Sequence, residues 1–169
     1  PSFFATLGEL VDRQFPTFAS CFGYQGMVTA LGGRVCLDEA NTEVGTFWLE
    51  RTAECQGDPL FGHLPDRFLA QCGHKDRAVE LPAGFTNLMR SERCEFQAFR
   101  IGNGFVYAAQ FHPELTGAEN RARFTRYLDV YAKVFGKARA HQMLEGFTES
   151  PETTDLLKRF ANLIADETP

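Results

Sequence analysis

Residues 16–33, PTFASCFGYQGMVTALGG, decide how this chain is read. Thr17 and Phe18 suit a short buried strand, Cys21 follows at once, and the run after it is helical in character until Gly32 and Gly33 stop it. The order is strand, cysteine turn, helix. A tight turn of this kind lifts a side chain out of a sheet, the helix N-terminus favours a thiolate, and the next backbone N–H points at a developing oxyanion. Such a turn is crowded and needs small neighbours, which Ala19, Ser20 and Gly23 supply. An ordinary buried cysteine beside glycine fits the same residues, so the pattern alone leaves both readings open.

A thiol is only a few per cent ionised at neutral pH, so a reactive Cys21 needs a base. His112 is the best candidate, at the end of the apolar run FVYAAQF that predicts a strand over Phe105–Phe111. Pro113 fixes the backbone after it, and Glu114 is close enough to accept from the second ring nitrogen and hold the tautomer.

The remaining chain supports this core. Phe3, Phe4, Leu7, Leu10 and Val11 recur at helical spacing and predict an amphipathic helix over Ser2–Arg13. RVCL and VGTFWLER, within Arg34–Arg51, predict strands, while Asp58–Pro65 and Glu80–Gly84 carry turn residues. Glu95–Arg100 and Phe105–Phe111 predict a hairpin joined through Ile101–Gly104, whose Asn-Gly pair is a strong hairpin signal. One long helix is expected over Ala118–Phe135, with Phe124, Leu128, Tyr131 and Phe135 on one face. A last helix is expected from Ser150 as N-cap with Pro151 at its first position, carrying Leu156, Leu157, Phe160 and Ile164. Residues 118–141 hold six Lys or Arg and residues 145–169 six acids; solvated faces are the default reading, and docking of the acidic helix on the basic one the sharper alternative.

Composition sets outer bounds. With 169 residues the chain has room for one domain. Its 17 Lys and Arg against 22 Asp and Glu give a net charge of -5, which argues against nucleic acid as a partner. No apolar run approaches the roughly 18 residues of a membrane span, so a membrane is not an expected partner either. The five cysteines lie without a C-x-x-C pair; Cys72 and His74 sit two apart but lack further ligands, so no metal or disulfide framework is expected and a reducing cytoplasm is. The 17 Phe make the core, or a partner-facing surface, aromatic-rich.

The motifs also resemble a known family. PTFASCFGYQGMVTALGG is similar to the P-V-L-G-I-C-x-G-x-Q-x-x-A-x-A-L-G-G elbow of class I glutamine amidotransferases, and FVYAAQFHPE to their G-x-Q-F-H-P-E signature. GHKDRAVELPAG, within residues 73–104, resembles the intervening H-x-D-x-V-x-x-L-P-x-G segment, in the correct order. The resemblance covers residues 1–117 and is strongest to proteins like the amidotransferase domain of GMP synthase. It implies an α/β fold, a flavodoxin-like three-layer sandwich, with residues 1–117 as the catalytic domain and 118–169 as a C-terminal helical extension packed on it. It implies glutamine amide hydrolysis through a γ-glutamyl thioester on Cys21, with His112 as base and acid and Glu114 orienting it. Phe22 would lend an oxyanion N–H, Gln25 would help bind substrate, the backbone of Lys75 and Asp76 would line the glutamine pocket, and His74 would support it. No cofactor is implied. The chain carries no S-G-G-x-D-S pyrophosphatase signature, so the unidentified ammonia acceptor is expected on a separate synthase chain, or there is none.

Ala19, Ser20 and Tyr24 depart from the family's usual Gly, Ile or Val, and His, and none removes the triad. The family's first strands and a glycine-containing loop with the second oxyanion donor precede its elbow, so the resemblance implies a chain beginning inside its domain, with part of its Phe excess facing strands it lacks. Losing one oxyanion donor costs about 3 kcal/mol, so the 169-residue chain alone is expected to be weakly active or inactive. The alternatives are a γ-glutamyl hydrolase or peptidase of the same superfamily, and a catalytically silent binding module.

Overall fold

In a computed structural model, which describes residues 2–167, the expected first helix is α1, Phe3–Asp12. The Ser2 hydroxyl caps it by accepting from the Ala5 N–H at 3.3 Å, and Leu7 and Val11 are buried beneath it. Strand β1 (Thr17–Ser20) and helix α2 (Phe22–Ala30) lie on either side of Cys21. The strands that follow are β2 (Arg34–Leu37), β3 (Glu43–Arg51), β4 (Arg67–His74), β5 (Asp76–Glu80), β6 (Phe85–Ser91), β7 (Ala98–Ile101) and β8 (Val106–Ala109). Helices α3 (Gly117–Arg126), α4 (Leu128–Phe135), α5 (Lys137–Glu145), α6 (Pro151–Thr154) and α7 (Leu156–Glu167) complete the chain.

Six strands form one sheet in the order β1-β8-β7-β6-β3-β4, and β2 pairs with β5 in a separate ribbon. Only β1 and β8 are parallel neighbours; every other pairing is antiparallel. Strands β1, β8, β6 and β4 therefore run the same way, and Ser20, Ala109 and His74 come to one edge of the sheet. Ligand sites in open α/β sheets form at such carboxyl ends.

Both faces of the sheet are covered, as the alternation in β8 makes plain. Val106 and Ala108 pack into one core with Leu7, Val11, Tyr24 and Met27 from α1 and α2, while Tyr107 and Ala109 pack into the other with Phe61, Phe68 and Leu156. A strand buried on both faces reads as a continuous apolar run, which is why FVYAAQF was legible. The aromatic excess divides: Phe61, Phe68, Phe99, Phe111 and Phe124 are buried, whereas Phe3, Phe4, Phe15 and Phe22 are exposed around α1 and the elbow.

Several elements differ from expectation. Strand β8 ends at Ala109 rather than at Phe111, because the chain changes partners: the Gln110 N–H still bonds the Gln97 carbonyl, but the His112 N–H bonds the Gln71 carbonyl of β4, each at 2.8 Å. That switch carries His112 toward β4. The single helix over Ala118–Phe135 is two helices that meet at Tyr127. In one continuous helix Phe124 and Tyr131 would stand about 10 Å apart along the axis. The break lets their rings stack, centroids 4.3 Å apart and planes within 4°. The last helix is likewise two, α6 and α7, and the Ser150 hydroxyl does not cap them: it accepts from the Gln71 amide at 3.0 Å. Nor does the acidic tail lie along the basic helices through ion pairs among the described residues. Instead Phe160 of α7 packs edge-on to Phe18 and Tyr107, and Glu149 accepts from the Gly117 and Ala118 N–H groups at the start of α3.

Candidate active site

Cys21 occupies the turn between β1 and α2 with φ 46° and ψ −98°. Among the described residues Gln14 is the one other non-glycine with positive φ, so a left-handed side-chain-bearing residue is rare in this fold and the elbow holds one at its centre. Two backbone bonds hold it: the Cys21 N–H donates to the Ala109 carbonyl at 2.8 Å, and the Cys21 carbonyl accepts from the Gln25 N–H at 3.0 Å. Space is short here, for a Cβ on Gly23 would lie 3.1 Å from the Ala19 Cβ. Phe22 is the first residue of α2, so its N–H has no partner within the helix, while its ring is 70% exposed and stacked on Phe3.

His112 and Glu114 come to the same place. The His112 Nδ1 lies 2.6 Å from Glu114 Oε1, which leaves Nε2 as the nitrogen not engaged by the carboxylate. Burial by itself disfavours the imidazolium, but the influence of the nearby Cys21 thiol and of Glu114 outweighs it and raises the His112 pKa to about 9. Glu114 is pulled the other way: burial raises its pKa, and the bond to His112 together with its own backbone N–H more than reverses that, leaving it lowered. Elsewhere in the core, burial pushes the thiols of Cys55 and Cys94 up to about 12 and raises that of Cys72 as well.

The structure also brings in residues that sequence reasoning missed. Gln110 is fully buried, and its Nε2 lies 3.8 Å from the Cys21 sulfur. Its Oε1 accepts from the Gln25 Nε2 at 3.2 Å, so the glutamine of α2 is tied to the sulfur through one side chain. Gln110 stands inside the QFHPE stretch and could have been found there. Arg123 of α3 approaches from the opposite side, Nη1 3.4 Å from His112 Nε2, and nothing in the sequence marks it. Gly73 faces the same nitrogen, where an added Cβ would lie 3.4 Å away.

Lys75 and Asp76 sit at the turn between β4 and β5, and their carbonyls are already engaged. That of Lys75 accepts from the Asp38 N–H at 3.0 Å; that of Asp76 accepts from Gln25 Nε2 at 3.0 Å. The Lys75 ammonium lies over the Phe135 ring, 5.8 Å from its centroid, so α4 reaches this side of the site. Behind the turn, Glu43, Cys72 and His74 bring potential ligand atoms within 4.8 Å of one another. The ring and the carboxylate are committed to hydrogen bonds within the protein, so a metal would have to displace them.

The chain is similar in sequence and in fold to known proteins. Residues 2–128 fit the family model of glutamine amidotransferase class-I. The chain is 41% identical over 107 residues to a glutamine-hydrolyzing GMP synthase of Thermosipho melanesiensis, covering 63% of this chain and 20% of that protein. It is 33% identical over 129 residues to one of the subunits of the glutamine-hydrolyzing GMP synthase of Methanopyrus kandleri, covering 76% of this chain and 64% of that one. The chain thus spans a fifth of the former and under two thirds of the latter. In fold it is similar to a glutamine amidotransferase of Thermotoga maritima, with a TM-score of 0.74 at 23% identity over 97% of this chain and 68% of the other. A glutamine amidotransferase of Methylobacillus flagellatus gives 0.61 at 21% identity over 95% and 62%. A mixed sheet covered on both faces, a left-handed cysteine between β1 and α2, and a family match across three quarters of the residues lead to one assignment: the chain belongs to the class I glutamine amidotransferases.

Proposed function

We propose that the chain hydrolyses the side-chain amide of glutamine with Cys21 as nucleophile, His112 as general acid and base, and Glu114 as the group that orients His112. The observation that carries this reading is the His112–Glu114 pair, 2.6 Å between ring and carboxylate, with a cysteine held at φ 46° near enough to raise the ring's pKa. The His112–Glu114 pair takes the thiol proton, leaving thiolate and imidazolium. The sulfur attacks the amide carbon of glutamine, and the negative oxygen of the tetrahedral species meets the Phe22 N–H at the head of α2. His112 then gives its proton to the departing nitrogen, ammonia leaves, and a γ-glutamyl thioester remains on Cys21. Water attacks the thioester, His112 accepts its proton and returns it to the sulfur, and glutamate is released.

Residues 1–117 carry this chemistry, with 118–169 as an extension that closes one side of the site through Arg123 and Phe135. Gln25, Lys75 and Asp76 form the wall against which glutamine binds. The ammonia goes to a separate synthase chain; support for this comes from the similarity to a protein that is itself named as one of several subunits of a GMP synthase. Among the described residues no helix is long and apolar enough to cross a membrane.

Labelling with a glutamine-like diazoketone tests the reading. Wild-type protein is expected to take up one equivalent on Cys21 and the Cys21→Ala variant none. Equal labelling of both overturns the assignment.

A further inference from the structure

Behind the β4–β5 turn lies a polar network that takes no part in the chemistry above. Glu43 and His74 are directly opposed across the β3–β4 pairing, Glu43 1% and His74 4% exposed. His74 Nε2 lies 3.0 Å from Glu43 Oε2, and His74 Nδ1 lies 3.1 Å from the Asp76 carbonyl. Glu43 Oε1 accepts from the Ser91 hydroxyl at 2.8 Å, and Oε2 accepts from the Gln97 Nε2. The His74 ring thus stands between two acceptors, the Asp76 carbonyl and the Glu43 carboxylate.

The Asp76 carbonyl is the node where this network meets the site. It accepts from His74 on one side and from Gln25 Nε2 of α2 on the other, at 3.1 and 3.0 Å. Both lone pairs are used. The same Gln25 amide continues to Gln110 and so to the sulfur of Cys21. A buried polar pair rarely stabilises a fold more than apolar side chains of the same size would. The outward connection of this one is the turn facing the elbow.

We propose that the Glu43–His74 pair is a positioning device: it clamps the Asp76 carbonyl against Gln25 and so fixes the distance between the glutamine-binding wall and the nucleophile. The role in substrate binding rests on the function proposed above; the clamp itself does not. Neither residue reaches the sulfur or the His112–Glu114 pair, so both act through the turn.

The test replaces the pair together, Glu43→Leu with His74→Leu, so that no lone charge is left in the core. Near-UV circular dichroism and amide exchange along β3 and β4 report whether the sheet persists. In the folded double variant the KM for glutamine is expected to rise about tenfold or more, while kcat and the alkylation rate of Cys21 by iodoacetamide stay within about threefold. Glu43→Gln, which keeps one acceptor for the ring, should fall between. Independently of turnover, amide exchange at 75–77 should quicken in the double variant while that of β4 does not. An unchanged KM overturns the positioning role, and unchanged exchange at the turn overturns the clamp. A sheet that unfolds in both variants assigns the pair to stability alone and also overturns the proposal. Where the wild type turns glutamine over too slowly for a KM, the exchange measurement at the turn decides the clamp by itself, and Cys21 labelling decides the proposed function.

Discussion

Two histidine–carboxylate pairs stand at the same edge of the sheet and are built to opposite ends. His112 and Glu114 are two residues apart, 2.6 Å between ring and carboxylate, with the Glu114 side chain 39% exposed. His74 and Glu43 are 31 residues apart, 3.0 Å between them, and both side chains are 1% exposed. The first ring uses one nitrogen on its carboxylate and turns the other toward Arg123. The second has both nitrogens committed within the protein. A histidine can move a proton only where one of its nitrogens is free to exchange partners. Under the proposed function, the difference between the pairs is the difference between chemistry and support.

Removing the nucleophile should have the largest effect. Cys21→Ala is expected to lose at least about 10³-fold of glutamine hydrolysis without loss of fold, measured by ammonia release beside a denaturation curve. Next comes the contrast in stability: Glu43→Leu takes the carboxylate from Ser91, Gln97 and the His74 ring in the core and should cost about 1–3 kcal/mol for each donor left unpaired, read in urea unfolding. Glu114→Leu, at a partly exposed pair, should cost under about 1 kcal/mol. Equal losses from the two would erase the distinction between the pairs.

Glu114→Gln should then lower kcat by about 10- to 100-fold and change its pH profile. The wild-type imidazolium persists up to a pKa of about 9, so the alkaline limb should lie there, and removing the carboxylate should move it to lower pH. The same shift has a stability consequence of fixed sign. A raised histidine pKa contributes stability that is complete below the unfolded value of about 6.5 and is lost as pH rises through the folded value. The window is thus pH 6.5 to about 9, and Glu114→Gln should flatten it. An alkaline limb unmoved in that variant would separate Glu114 from the base. The smallest effect is expected from Gly73→Ala, whose Cβ would meet His112 Nε2 at 3.4 Å: a drop of a few-fold in kcat with the unfolding curve unchanged.

The elbow was legible because its signals are local. Strand, small residues, cysteine and helix stop all fall within 18 residues, and the positive φ at Cys21 is the backbone consequence of that compression. The His112–Glu114 pair was legible for the same reason, lying two positions apart on either side of a proline. Strands β4, β5 and β6 were not, since Arg67–His74 and Phe85–Ser91 mix buried and exposed positions without a clean alternation. The breaks at Tyr127 and Asp155 also escaped, because ring stacking between Phe124 and Tyr131 and the docking of Leu156 are tertiary choices that helical periodicity does not encode.

The sequence by itself thus determined which three side chains are candidates for chemistry and which local turn presents the thiol. Tertiary structure decided their surroundings: Gln110 beside the sulfur, Arg123 beside the imidazole, and Glu43 opposite His74. The reason is the range of the interactions. An elbow or an His-Pro-Glu run is set by bonds along the chain, whereas Glu43 meets His74 only through the register of two antiparallel strands, and Arg123 reaches His112 only after α3 packs on the sheet.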